Sequence, residues 1–185
     1  MNNFIIRPED TMLLVIDIQE RLFGVMEEQF KPVLIKNNAI LIKTAKTFGI
    51  SVVVSEQYPK GLGTTIPELG EMLTDVPKIE KLYFSCFRED PVRKAIVATG
   101  KKNIIVTGIE THVCVLQTVL DLLQKDYNPV VASDAVLSRN ASDRLAAIEA
   151  MRDAGAIIYP TETVAFMLLE KAGTTEFKQL SPLFK

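Results

Sequence analysis

Histidine and cysteine are scarce in this 185-residue sequence. It contains one histidine, His112, and two cysteines, Cys86 and Cys114. Metal cages and disulfide frameworks are built from several such residues, so these counts predict neither a metal site nor a disulfide framework. We expect both thiols to be free and the protein to work without a cofactor.

Concentrated positive charge and long apolar runs are also missing. The formal net charge is −2, and the lysines and arginines are interspersed with acidic residues. This distribution lacks the basic footprint of a nucleic-acid binder and favours a small-molecule substrate or a protein as the partner. The apolar stretch at residues 12–16 ends at Asp17 and is far shorter than the roughly 20 residues of a membrane span. The N-terminal residues do not follow the pattern of a signal peptide, so we predict a cytoplasmic protein without membrane contact.

Short β-branched runs alternate with helical stretches along the chain. The runs are apolar on both faces, as is typical of parallel strands that helices cover on both sides. The alternation predicts an α/β fold in three αβα layers, with a Rossmann-like, doubly wound and mostly parallel sheet. The length favours a single domain over residues 1–185. The predicted strands are 12–18, 51–55, 103–109, 129–133 and 156–159.

One long irregular segment, residues 56–83, interrupts this alternation. Loops of this length in compact domains are usually functional or contain short elements of their own. We predict a short helix at 66–73 and a short extra strand at 81–84. The turn after the first strand has no glycine-rich phosphate-binding pattern, so the sequence does not predict nucleotide binding.

Three side chains with suitable chemistry lie near the ends of predicted strands, where open parallel sheets bind ligands. Asp17 ends an apolar strand, where an ionised carboxylate is costly without a partner or a task. Lys81 belongs to the short extra strand. Cys114 lies at a strand-to-helix turn, where backbone N–H groups and the helix dipole favour a thiolate. Together they predict a site in which the cysteine attacks, the carboxylate relays its proton and the ammonium holds the carboxylate.

Each of these residues also has a plainer interpretation. Asp17 would then cap a helix or loop, Lys81 would be solvated, and Cys114 would be a core residue. His112 is a poor base for Cys114, because residues two apart on a helix project from nearly opposite faces. We expect His112 to be a hydrogen-bonded residue of the turn, to line the pocket or to lie at a subunit contact, and we interpret Cys86 as a packing residue.

Three motifs occur in a characteristic order along nearly the whole chain. They are Leu-Val-Ile-Asp-Ile-Gln at 14–19, Lys-Leu-Tyr-Phe-Ser-Cys-Phe at 81–87 and Gly-Ile-Glu-Thr-His-Val-Cys-Val at 108–115. Ser-Asp-Ala at 133–135 and Ala-Gly-Ala at 154–156 extend the pattern. In order and spacing these segments resemble the isochorismatase-like hydrolases, also called the cysteine hydrolase superfamily.

The resemblance implies a catalytic triad of Asp17, Lys81 and Cys114. It also implies a cis peptide bond between Ile109 and Glu110, and an oxyanion site formed by the backbone N–H groups of Glu110 and Cys114. The expected reaction is hydrolysis of a small amide, or of a related C–N or ester bond, through a thioester on the cysteine.

One difference from better-known members of this superfamily indicates which branch the chain resembles. Nicotinamidase-like proteins carry an Asp-x-His metal site after the second strand, whereas residues 55–63 here read Ser-Glu-Gln-Tyr-Pro-Lys-Gly-Leu-Gly. This segment has no histidine to supply such a site. It is similar to a poorly characterised branch of isochorismatase-domain proteins.

The sequence also predicts which residues contact the substrate. We expect a mobile loop over residues 57–63, and substrate contacts from six side chains: Gln19, Phe23, Gln57, Tyr58, Tyr83 and His112.

Two other functions remain alternatives to cysteine-based hydrolysis. They are vinyl-ether hydrolysis of the isochorismatase type, with Asp17 as general acid, and a non-catalytic ligand-binding or scaffold protein on the same fold. Apolar residues without a core role, such as Phe4, Phe166 and Phe177, together with the resemblance predict a homo-oligomer, a dimer or larger.

Overall fold

A computed structural model describes residues 4–185, in which six strands form a single sheet. The strand order is β3-β2-β1-β4-β5-β6, and all five neighbouring pairs are parallel. This architecture confirms the predicted α/β fold. The strands are β1 (Thr11–Ile16), β2 (Ser51–Gln57), β3 (Lys78–Lys81), β4 (Asn103–Ile109), β5 (Asn128–Leu137) and β6 (Ile157–Tyr159).

Helices connect the strands and cover the sheet. In the part of the chain that the structure describes, no helix is both long and apolar enough to cross a bilayer. A single π-helical turn, Thr111–Val115, directly precedes α6. The α-helices are α1 (Glu20–Gly24), α2 (Lys31–Phe48), α3 (Pro59–Leu62), α4 (Pro67–Gly70), α5 (Asp90–Ala98), α6 (Leu116–Leu123), α7 (Ala141–Asp153), α8 (Thr161–Leu169) and α9 (Thr175–Leu180).

The central strand β1 shows why the strands are apolar on both faces. All six of its residues are buried. Leu13 and Val15 pack with α2 and α8 on one side of the sheet, while Met12 and Leu14 pack with α5, α6 and α7 on the other. Because successive side chains of a strand alternate between faces, a strand covered on both sides needs apolar residues at every position.

Helix α2 supplies much of the core on the first side. Its buried residues Leu34, Leu41, Ile42 and Ala45 recur at helical spacing and form one apolar stripe. The helix ends at Gly49, which has a φ of 65°. Glycine adopts this left-handed conformation without a steric penalty, so the chain turns directly into β2.

The strand order reverses direction between β1 and β4, and this crevice is where such sheets bind ligands. Ile16 at the end of β1 is paired with Gly108 near the end of β4. Gly108 has a φ of 127°, and a Cβ atom at this position would lie 2.0 Å from the carbonyl oxygen of Ile16. Only glycine therefore lets β1 and β4 approach each other at this point.

The predicted ends of β1, β2 and β5 differ from the structure, and β2 ends at Gln57 rather than at residue 55. β1 ends at Ile16 rather than at residue 18, because Asp17 adopts a left-handed φ of 50° and leaves the strand. β5 continues to Leu137, beyond the predicted end at residue 133, after a register shift opposite Val106 and Gly108. The short helix predicted at 66–73 is present as α4 followed by a 3₁₀ turn.

The predicted extra strand was misplaced: it forms at Lys78–Lys81, before residues 81–84 rather than over them. It pairs in parallel with Val54–Gln57 of β2, so Lys81 ends the strand. The backbone then folds back, because the carbonyl oxygens of Tyr83 and Phe84 both accept hydrogen bonds from the Lys81 ammonium. This turn prevents the ladder from continuing.

Replacing Gly108 with alanine tests the close approach of β1 and β4. We expect Gly108→Ala to lower the free energy of unfolding by about 3 kcal/mol, because the added methyl group overlaps backbone atoms that cannot move aside cheaply. Gly100→Ala is the matched control, since Gly100 also has a positive φ of 66° but has no atom within 4 Å of the place that a Cβ atom would occupy. Denaturant unfolding measures both, and equal losses would contradict the steric explanation.

Candidate active site

Asp17 and Lys81 form a buried ion pair at the carboxyl ends of β1 and β3. The Lys81 Nζ atom lies 2.7 Å from Asp17 Oδ2, and both side chains are 0% exposed. β2 lies between these two strands in the sheet, so the lysine side chain reaches across its end. Two buried charges are tolerated only when they are paired and further hydrogen-bonded, and both conditions are met here.

The Lys81 ammonium is surrounded by acceptors. Besides forming the ion pair with Asp17, it donates to Gln57 Oε1 at 2.6 Å, to the Tyr83 carbonyl at 3.2 Å and to the Phe84 carbonyl at 3.0 Å. The last two acceptors come from the residues that follow β3. The lysine is therefore held by its own strand end as well as by β1 and β2.

The second oxygen of Asp17 is held by a residue that the sequence analysis did not select. Ser55, on β2, donates its hydroxyl to Asp17 Oδ1 at 2.7 Å. The Cys86 thiol donates in turn to Ser55 Oγ at 3.4 Å. Cys86 is fully buried in the core, as its interpretation as a packing residue requires, but it also forms the outer end of this hydrogen-bonded chain.

Cys114 lies in the π-helical turn after β4 and is 5% exposed. Its side chain is within hydrogen-bonding reach of the Asp17 carboxyl group. Its carbonyl accepts from the Thr118 hydroxyl at 2.7 Å, which ties the turn to the first residues of α6. The structure thus brings Asp17, Lys81 and Cys114 together at one end of the sheet.

Burial and the charges of the neighbouring groups together shift the pKa values of these three residues. Burial raises the pKa of the Asp17 carboxyl above its ordinary value of 3.8, although Lys81, Ser55 and Cys114 oppose the shift. Burial opposes the charged form of Lys81, but attraction to Asp17 and to the two thiols outweighs it and raises the pKa of the lysine. The ammonium therefore remains charged at neutral pH.

The pKa values of the two thiols are raised as well. Burial, with the nearby charge of Asp17, raises the pKa of Cys114 well above its ordinary value, and that of Cys86 to about 11. The sequence-based expectation that the helix start favours a Cys114 thiolate is therefore wrong for the resting site. Desolvation of the thiolate outweighs the helix dipole, so Cys114 rests as a thiol beside a carboxyl group.

Contacts from the end of β5 hold the cysteine-bearing turn. The Ile109–Glu110 peptide bond is cis, as the resemblance implied. Glu110 accepts from Arg139 Nε at 2.9 Å. His112 Nδ1 lies 2.9 Å from Ser138 Oγ, just after β5, so His112 is a hydrogen-bonded residue of the turn, as predicted.

The expected loop over residues 57–63 is attached to the sheet rather than free. Gln19 Nε2 donates to the Gln57 carbonyl at 3.0 Å and to the Gly63 carbonyl at 2.6 Å, and Gln19 Oε1 accepts from the Gln57 backbone at 2.7 Å. The Ile66 amide donates to the Ile18 carbonyl at 3.0 Å. The side chains of Gln19 and Gln57, two of the predicted substrate contacts, are thus both engaged within the protein.

The three predicted aromatic contacts are more accessible. Tyr58 is 51% exposed and Tyr83 is 58% exposed, while Phe23 is half-buried with the Lys31 ammonium 5.3 Å from its ring centre. Tyr58 lines a surface cavity of about 240 Å³ together with backbone and side chains around β3. The lining of this cavity includes Lys81 but neither Asp17 nor Cys114, so it lies beside the three-residue cluster rather than over it.

The polar groups that support the cluster were not predictable from the sequence. Ser55, Ser138 and Arg139 are common residue types, and nothing in their local sequence marks them as partners of distant residues. Their positions just before or after a strand end were the one available signal. Within residues 4–185, no group of three or more histidine, cysteine or acidic side chains is arranged to hold a metal ion.

Comparison with known proteins identifies the family. The isochorismatase domain model matches residues 11–163. The secreted isochorismatase effector Isc1 of Phytophthora sojae is 38% identical over 182 residues, which cover 96% of this chain and 86% of the relative. The chain therefore belongs to the isochorismatase domain family and is a hydrolase of the isochorismatase-like superfamily.

Solved structures with the same fold are also similar in sequence. The MAR1 ribonuclease of Caenorhabditis elegans has a TM-score of 0.89 at 37% identity, covering 97% of this chain and 91% of that one. YcaC of Escherichia coli, an octameric hydrolase of unknown specificity, has a TM-score of 0.89 at 27% identity, covering 100% and 91%. YcaC of Pseudomonas aeruginosa, solved with covalent acrylamide, has a TM-score of 0.91 at 26% identity, covering 97% and 91%.

Removing the positive half of the buried ion pair should destabilise the protein. We expect Lys81→Met to lower the free energy of unfolding by about 3–5 kcal/mol at neutral pH, because the Asp17 carboxylate is left buried without its partner. The loss should shrink as the pH falls, because protonation of Asp17 through its raised folded-state pKa removes the unpaired charge.

The matched control is Lys94→Met, which changes an exposed lysine in the same way. Its effect should stay within about 0.5 kcal/mol at every pH, as for surface substitutions generally. Denaturant unfolding at several pH values measures both variants. A Lys81→Met loss that did not depend on pH would contradict the ion-pair explanation.

Proposed function

We propose that this protein hydrolyses a small amide, or a related C–N or ester bond, with Cys114 as the nucleophile. The observation that carries the proposal is the buried cluster in which the Cys114 thiol is within reach of the Asp17 carboxyl group and the Lys81 ammonium lies 2.7 Å from the same carboxyl. A base next to a nucleophile, with a third group orienting the base, is the general arrangement of covalent catalysis. The covalent acrylamide in a YcaC relative adds support, since acrylamide is an electrophile of the kind that thiols attack.

In the first half of the reaction, Asp17 accepts the proton of the Cys114 thiol as the sulfur attacks the substrate carbonyl carbon. A general base is required because the thiol is not ionised beforehand, and burial makes Asp17 a stronger base than an ordinary aspartate. The backbone N–H groups of Glu110 and Cys114 stabilise the oxyanion that forms. The protonated Asp17 then gives its proton to the leaving group, the C–N or C–O bond breaks, and a thioester remains on Cys114.

In the second half, water replaces the leaving group. Asp17 takes a proton from the water molecule as its oxygen attacks the thioester carbon. The C–S bond breaks, the sulfur recovers the proton from Asp17, and the acid product leaves. Lys81 stays charged throughout, so its part is to hold Asp17 in position and to balance the negative charge that the two other groups exchange.

A second reaction uses the same site without the thiol. The raised pKa of Asp17 also favours its protonated form, which is the form required of a general acid in vinyl-ether hydrolysis. In that case isochorismate would be hydrolysed and the activity would survive loss of Cys114. A third alternative, a binding or scaffold protein, predicts a Cys114 thiol that reacts no faster than an ordinary buried one.

We also propose an oligomeric state, a cellular location and a class of substrate for the protein. We expect a homo-oligomer, in line with the octameric YcaC relative, and a small-molecule substrate in the cytoplasm, although one relative is a secreted effector. A screen of small amides, nitriles and esters should include isochorismate and a short RNA. Isochorismate and RNA are included because relatives are named as an isochorismatase and as a ribonuclease.

Cys114 is tested by substitution and by trapping. We expect Cys114→Ala and Cys114→Ser to abolish turnover of any substrate found in the screen, with losses of about a thousandfold or more. A small aldehyde should form a thiohemiacetal on Cys114 that crystallography or mass spectrometry detects. Cys86 provides an internal control, because its complete burial should keep it unlabelled by thiol reagents until the protein unfolds. Full activity in Cys114→Ala would overturn the mechanism and favour the vinyl-ether reaction.

The pH dependence tests the role of Asp17. Catalysis needs the ionised carboxylate, so activity should fall on acidification through the folded-state pKa of Asp17, at a pH above the ordinary value of 3.8. The pKa of Lys81 is raised above 10.5, so the lysine adds no loss of activity below that pH. Measurement of kcat/KM against pH checks this. Activity that stayed constant down to about pH 4 would contradict the assignment of Asp17 as the base.

A further inference from the structure

The carboxamide of Gln57 makes a direct contact with the charged cluster. Gln57 is the last residue of β2 and is 9% exposed. Its Oε1 atom accepts a hydrogen bond of 2.6 Å from Lys81 Nζ. This side chain, predicted from the sequence to contact the substrate, contacts the lysine in the structure.

Neighbouring groups fix the orientation of this carboxamide. Gln57 Nε2 donates to the Leu82 carbonyl at 2.9 Å, so the oxygen is the atom that faces Lys81. The Gln57 backbone is held on both sides by Gln19, whose Oε1 accepts at 2.7 Å and whose Nε2 donates at 3.0 Å. The acceptor is therefore set in place before any substrate binds.

Lys81 has more acceptor atoms around it than its ammonium group has protons. An ammonium group has three protons, and Asp17, Gln57 and the carbonyls of Tyr83 and Phe84 offer four acceptor atoms between 2.6 and 3.2 Å. No proton of Lys81 is left for a substrate. The lysine is thus suited to act as a fixed charge and not as a proton donor.

We propose that Gln57 is a positioning residue, whose neutral carboxamide holds the Lys81 ammonium on Asp17 and thereby sets the reactivity of Cys114. This inference rests on the proposed function. A neutral acceptor is essential to it, because a carboxylate at this place would compete with Asp17 for Lys81 and would add a negative charge close to the thiol. Both effects disfavour the thiolate that forms during attack.

Two substitutions of Gln57 separate charge from hydrogen bonding. Gln57→Glu keeps the shape and adds a charge, whereas Gln57→Leu removes the acceptor without adding one. The exposed Gln124, at the end of α6, provides the matched controls Gln124→Glu and Gln124→Leu. Thermal unfolding confirms that each variant is folded, and if Gln57→Leu is not, Gln57→Glu carries the test alone.

The first readout needs no substrate. Iodoacetamide alkylation of Cys114 is followed by mass spectrometry of its peptide from about pH 5 to about pH 9, the range over which thiol reactivity responds to its surroundings. We expect Gln57→Leu to slow alkylation roughly tenfold to a hundredfold, as a displaced catalytic group does, and Gln57→Glu also to move the pH profile to higher pH. The Gln124 variants should match the unmodified protein.

The second readout uses any substrate found in the screen. A positioning residue should lower kcat and leave KM nearly unchanged, whereas a substrate contact should mainly raise KM. Unchanged alkylation and kcat in both folded Gln57 variants would overturn the inference, as would a change confined to KM. Full activity in Cys114→Ala would overturn the proposed function instead, so the two failures are distinguishable.

Discussion

The buried ion pair between Asp17 and Lys81 is the contact on which the rest of the site depends. Removing two charges from water is costly, and their mutual attraction compensates only if their remaining hydrogen-bonding capacity is also used. Ser55 uses the second oxygen of Asp17, and Gln57 with two backbone carbonyls surrounds Lys81. The pair and its partners therefore come from the ends of three strands, β1, β2 and β3, and this requirement shapes the segments around them.

The fold places those strand ends together at the point where the strand order reverses. β1 and β4 come close there because Gly108 has no side chain to meet the backbone of Ile16. The turn after β4 then carries Cys114 to the Asp17 carboxyl group, while Glu110 and His112 on the same turn are held from the end of β5 by Arg139 and Ser138. Thus Asp17, Lys81 and Cys114 are positioned by contacts between neighbouring strands and the turns that follow them.

Much of the fold was predictable because its signals are local. A strand buried on both faces must be apolar throughout, as β1 is, and a helix that ends in a turn commonly has a glycine after it, as α2 has at Gly49. Strand boundaries were less predictable, since they depend on pairing. Nothing local indicates that β3 ends at Lys81, because its end is decided by β2 on one side and by the carbonyls that turn back to the ammonium on the other.

The sequence by itself determined the α/β class, the family resemblance and the three residues with suitable chemistry, because each follows from residue type, spacing and order. Only the tertiary structure decided which partners hold them and in which protonation state they rest. Ser55 and Gln57 are ordinary residues until the sheet brings them against Asp17 and Lys81. Likewise, the thiol state of Cys114 reflects burial, which depends on the packing of the whole domain around the site and not on the residues beside it in the chain.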